Sequence, residues 1–124
     1  MISLLATLLF ASQPAGDLLR YPSALNAETK ALAQPYWDCV MRRVREFEAS
    51  SEAAGEVAEA AITSCRDARM ELQAGIDLDF LFGPQSQRFQ NALPTDEVMR
   101  DFDQEVRAAA RLSVIQIRAE RARR

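Results

Sequence analysis

The chain has 124 residues, 48% hydrophobic and 27% charged, with a net charge of −3. That is room for one globular domain, and it excludes disordered, collagen-like and low-complexity classes. Histidine is absent, which excludes imidazole general bases, histidine metal ligands and every triad that needs one.

Ile2 to Ala11 reads ISLLATLLFA, an uncharged apolar run. A transmembrane helix needs about twenty such residues, so the run fits the hydrophobic region of a secretory leader better. Ala11, Ser12, Ala15, Pro14 and Gly16 follow it. The reading is a signal peptide over 1–11, cleaved near 11–16, and one helical domain over 17–124. The alternative is an N-terminal apolar helix packed on that domain.

Few β-branched runs and scarce aromatic residues argue against an all-β fold. Asn26 is placed to cap a short helix over Ala27 to Ala33. Pro35 suits the start of a longer helix to about Ala49, whose apolar stripe is Tyr36, Val40, Val44 and Phe47, with Cys39 on the same side. Ser50 or Ser51 is a suitable cap for the next helix, expected to run to about Gln73 and to end at Gly75. Its stripe is Ala54, Val57, Ala61, Cys65, Ala68 and Leu72.

Cys39 and Cys65 are the two cysteines. No C-x-x-C is present and no histidine completes a zinc set, so metal and thioredoxin-like readings fail. Both lie thirteen positions from Glu52. A helical hairpin turning there sets them at one height on facing stripes, within reach of a disulfide. Two buried free thiols are the alternative.

Gly75 to Pro94 reads as irregular. Ile76, Leu78, Phe80 and Phe82 alternate with other residues, which predicts an extended connection laying Phe80 and Phe82 over the helices. Gly83-Pro84 is a turn signal, and Gln85 to Leu93 suits a short helix with Phe89 and Leu93 inward. Thr95 is placed to cap a last helix running from Asp96 towards the C-terminus. Its apolar arc holds Val98, Met99, Phe102, Val106, Ala109, Ala110, Ser113 and Ile117; Arg100, Arg107, Arg111, Arg118 and Arg121 lie opposite.

Residues 104–124 hold six Arg and two Glu, a balance of +4, whereas 76–103 hold six acids and two Arg, a balance of −4. Asp38 with Arg42, Asp96 with Arg100 and Asp103 with Arg107 have ion-pair spacing along a helix. Arg111, Arg118, Arg121, Arg123 and Arg124 are the candidates for contact with an anionic lipid surface or a partner. The plainer reading is a solvated face, or pairing with Glu52, Glu56 and Glu59 across a helix interface. The acidic balance and the lack of any binding motif argue against nucleic acid.

Asp77 and Asp79 do not make a calcium loop, because the position that needs a Glu is Arg88. Asp77, Asp79, Asp101 and Asp103 are the carboxylates available to an enzyme, yet nothing sets a pair at a working separation. No metal, cofactor or catalytic residue is assigned. Tyr36 and Trp37 read as packing over the disulfide, or as an aromatic anchor for a partner.

Tyr36-Trp37-Asp38-Cys39-Val40 opening one helix, with Ala60-Ala61 and Cys65-Arg66 in the next, resembles a loose group of small exported bacterial proteins. These are Ala- and Arg-rich helical hairpins with one cysteine per helix. The resemblance covers Pro35 to Leu72. It implies a periplasmic setting and one disulfide, and it carries over no binding residue.

The expected fold is all-α: a disulfide-linked helical hairpin with a long amphipathic C-terminal helix packed across it. The expected role is a non-enzymatic interaction protein, periplasmic or secreted, whose partner is another envelope protein. Association with an anionic membrane surface and carboxylate catalysis are the alternatives.

Overall fold

A computed structural model describes residues 14–124; the expected leader over 1–11 lies outside them. Among the described residues there is no strand. The helices are α1 (Ala27–Ala31), α2 (Ala33–Phe47), α3 (Ala54–Ser64), α4 (Arg66–Phe82) and α5 (Thr95–Ala122). Short 3₁₀ turns at Ala15–Leu18, Pro22–Ala24 and Ser86–Phe89 join the rest. The fold is all-α, with α5 laid across the hairpin of α2 and α3.

Asn26 caps α1 by accepting from the Thr29 N–H at 2.7 Å. Its own backbone N–H and side-chain amide each donate 2.9 Å to Asp79 of α4. A local cap is thereby a tertiary tie as well. In α2, Tyr36, Val40 and Val44 are buried, as the i,i+4 spacing requires. Pro35 sits in the first turn, where its missing N–H leaves no helical bond unmade.

Cys39 and Cys65 form a disulfide with Cα atoms 6.0 Å apart. The expected single helix from Ser50 to Gln73 is in fact two. No side chain caps α3, whose N-cap is Ala53. The α3 helix stops at Ser64, and Cys65 stands between helices at φ −105°, ψ 27°. The cause is local. Thr63 Oγ1 donates to the Glu59 carbonyl at 2.9 Å and Ser64 Oγ to that of Ala61 at 2.8 Å. Such bonds compete with the helical ladder and bend it. The Cys65 N–H then reaches back three residues, to Ile62.

The expected stop at Gly75 does not occur. The α4 helix runs through it to Phe82. A Cβ on Gly75 would stand 3.1 Å from the Leu32 side chain and 3.3 Å from Thr29, so glycine is there for close packing of α1 on α4. The extended connection is likewise replaced by helix. Ile76 and Phe80 fit alternation and also the i,i+4 spacing of Leu72, and all three are buried. Phe80 packs edge-on against Phe89, centroids 4.7 Å apart, and against Tyr21 at 6.1 Å. Phe82 does not cover the helices; it points to solvent. Leu93 is also exposed, whereas Phe89 is buried. The helix ends at Gly83-Pro84, since the residue before a proline is disfavoured in helical conformation.

Thr95 is the first residue of α5 and does not cap it; its buried hydroxyl has no hydrogen-bond partner. The face of α5 in the core holds Val98, Met99, Phe102, Val106, Ala110 and Val114. Val114 lies deeper than expected, while Ser113 and Ile117 are half-buried at its margin. Tyr36 and Trp37 pack on Phe102, with centroids 5.9 and 6.4 Å away.

Candidate functional site

None of the three expected helix-internal ion pairs forms among the described residues: Asp38 accepts from Gln34 in its own helix, Asp96 and Arg100 are unpaired, and Asp103 and Arg107 turn to other helices. Asp103 accepts from Arg69 Nη2 at 2.6 Å and Nε at 3.0 Å, and from the Tyr36 hydroxyl at 2.8 Å. Burial, and then the hydrogen bond to Asp103, push the Tyr36 pKa well above its ordinary value. Arg107 pairs with Glu59 of α3. Arg69, Arg100, Arg107 and Asp103 line a polar groove of about 390 Å³. Its two inner charges, Arg69 and Asp103, already satisfy each other.

The other aspartates considered for chemistry are not gathered. Asp79 is occupied by Asn26. Asp101 pairs with Arg20 at 2.8 Å. Asp77 is half-buried on α4. Among the described residues no group of three or more possible ligands is arranged to hold a metal ion, and no helix is long and apolar enough to cross a membrane.

The arginines singled out in the sequence divide in two. Arg118 donates Nε and Nη2 to the Glu48 carbonyl at 3.1 Å and Nη2 to that of Ser50 at 3.0 Å. Arg121 pairs with the buried Glu48 carboxylate. Arg118 thereby supplies donors to carbonyls just past the C-terminus of α2, and Arg121 neutralises the Glu48 side chain at the same end. Arg124 is loosely placed against Glu120 at 3.6 Å. Arg111 rests over Gly55, where a Cβ would stand 3.2 Å from its guanidinium. Arg111 and Arg123 have no carboxylate partner among the described residues.

The most distinctive surface is apolar, and sequence reasoning missed it. On α5 the outward residues Ala108, Leu112, Ile115, Ala119 and Ala122 recur at spacings of four, three, four and three. Leu112 is 53% exposed and Ile115 51%. This is the seam pattern of a coiled coil, about 21 Å long at 1.5 Å per residue, on a helix whose other face is already buried. Arg111 and Arg118 stand at the positions that flank such a seam.

A second seam runs along α4. Ala74, Leu78 and Leu81 recur at four and three, with Phe82 beside them. Leu78 is 56%, Leu81 49% and Phe82 79% exposed. Asp67 and Glu71 are exposed and Asp77 half-buried along α4, with Arg66 exposed at its start. Single exposed leucines are ordinary; here the exposed apolar residues are contiguous along each helix. The signal was present in the sequence. It was hidden because each helix carries two apolar faces, and the stronger inner stripe absorbed the reading.

No protein family, curated protein or solved structure matches the chain.

Proposed function

We propose that the chain is a non-catalytic interaction protein of the bacterial cell envelope, which docks polypeptide helices on the outward seams of α4 and α5. The observation that carries this reading is the seam of Ala108, Leu112, Ile115 and Ala119, solvent-facing on a helix already packed by its opposite face. The Cys39–Cys65 disulfide supports an oxidising compartment, and the apolar Ile2 to Ala11 run supports export. Asp103 in the groove is bound to Arg69, and Asp79 and Asp101 elsewhere to Asn26 and Arg20, which favours a structural role for these three over an acid–base one.

The test is a photo-crosslinking amino acid placed at Ile115, at Leu78 or at the exposed Arg42 of α2, in cells that make the protein naturally. Discrete products at Ile115 or Leu78, and none at Arg42, are expected. An absence of products at both seams overturns the reading.

A further inference from the structure

We propose that the two seams are complementary to each other, so that the α5 seam of one molecule docks on the α4 seam of a second copy, head to tail. This rests on the reading of the seams as docking surfaces and names the occupant.

The argument is one of register and charge. In an antiparallel helix pair, seam positions spaced four then three along one helix meet positions spaced four then three read backwards along the other. Ala74, Leu78 and Leu81 read forwards along α4, and Ala119, Ile115 and Leu112 read backwards along α5, have that same spacing. Leu78 then faces Ile115, Leu81 faces Leu112, and Ala74 faces Ala119. At the edge of this register Phe82, 79% exposed, falls beside the small Ala109. At the opposite edge Asp77 falls beside Arg118, which has one guanidinium nitrogen left over from its bonds to the Glu48 and Ser50 carbonyls.

Pairing of like seams is opposed by the same arithmetic. An antiparallel pair of α4 seams that sets Ala74 against Leu78 brings Asp77 against the second Asp77. An antiparallel pair of α5 seams that sets Leu112 against Ile115 brings Arg111 against Arg118 twice. Like charges at flanking positions specify against a partner. Asp77 on the flank of α4, set against Arg111 and Arg118 on the flank of α5, thus selects the mixed pair. Such a contact joins different patches on the two copies, so it extends beyond a dimer unless the rotation closes a ring. One helix pair is a small interface, so association at micromolar or higher concentration is expected.

The experiment uses the full disulfide-bonded chain in sedimentation-velocity runs. Leu112→Glu blocks the α5 seam and Leu78→Glu the α4 seam; both positions face solvent, so the core is untouched. Each variant alone is expected to be monomeric. Their mixture is expected to form a 1:1 dimer that goes no further, because each contributes its one intact seam. Asp77→Arg in the otherwise natural chain is expected to weaken association at least threefold, and added salt to act in the same direction. A mixture no more associated than its components overturns the proposal. So does dimerisation of either variant alone, which would mean pairing of like seams. The interaction reading fails separately. Crosslinks from Ile115 to a different protein, with a monomeric mixture, sink self-association and leave that reading standing; no crosslinks at either seam sink the reading itself.

Discussion

The Tyr36 hydroxyl and the Asp103 carboxylate, 67 positions apart in the chain, meet at 2.8 Å. Arg69 donates to the same carboxylate from a third helix, so α2, α4 and α5 are tied at one point. Asp103→Asn removes the charge that both donors address. A loss of about 2–3 kcal/mol is expected, as for hydrogen bonds to a charged group. Urea denaturation at neutral pH measures it, and a change below about 0.5 kcal/mol would show the cluster to be incidental.

The raised pKa of Tyr36 has a consequence at high pH. The folded state holds the phenol proton beyond the ordinary value of 10.0, through burial first and the Asp103 hydrogen bond second. The unfolded chain loses that proton near pH 10, so above it the native state binds more protons and stability falls as pH rises. Below about pH 9 this group contributes no slope. Tyr36→Phe is expected to be less stable at pH 7 and to show a shallower decline between pH 9.5 and 11. Parallel slopes in the two proteins would refute the assignment.

The Cys39–Cys65 bond closes a loop across 26 positions. The chain-entropy model assigns about 3.5 kcal/mol to a loop of that size. Cys39→Ser with Cys65→Ser is expected to lower stability by about that amount, a large share for a domain this small. Denaturant titrations of the double variant and the oxidised parent give the comparison. Equal midpoints would mean that the break at Cys65 relaxes once the bond is gone and recovers the loss elsewhere.

Arg118 supplies three hydrogen bonds to the carbonyls that follow α2. Arg118→Gln is expected to cost about 1–2 kcal/mol, discounted because the site is only partly buried. Arg123→Gln, at the exposed end of α5, is expected to change stability by less than about 0.5 kcal/mol. Thermal melts of the two variants side by side check the contrast; equal losses would remove the capping role.

Packing begins ahead of the domain start expected at residue 17. The Ala15 N–H donates to Gln34 Oε1 at 3.0 Å, and a Cβ on Gly16 would stand 2.5 Å from the Lys30 carbonyl oxygen. Cleavage after Ala11, Ser12 or Gln13 preserves these contacts, and cleavage after Ala15 removes the hydrogen bond to Gln34. Intact mass of the naturally produced chain, with thiols blocked before reduction, is expected to show the loss of 11 to 13 residues and no thiol label. A full-length, doubly labelled chain would refute export and the disulfide together.

The sequence by itself determined the all-α class, the pairing of Cys39 with Cys65, the Asn26 cap and the buried stripes of α2 and α5. These follow from signals within a few turns of helix: spacing of apolar residues, a capping amide, and two cysteines equidistant from one turn. Tertiary structure alone decided that Gly75 lies inside a helix, because the reason is a Leu32 side chain forty-three positions away. It decided that Arg118 donates to the carbonyls after α2, that Arg121 pairs with the Glu48 side chain, and that Asp103 turns to Arg69 and Tyr36 and away from Arg107. Such choices depend on which distant donors the packed helices bring within reach, and the spacing of charges along one helix does not encode that. The outward seams stand between the two cases: their spacing is written in the sequence, but only packing shows which of two apolar faces on each helix is left exposed.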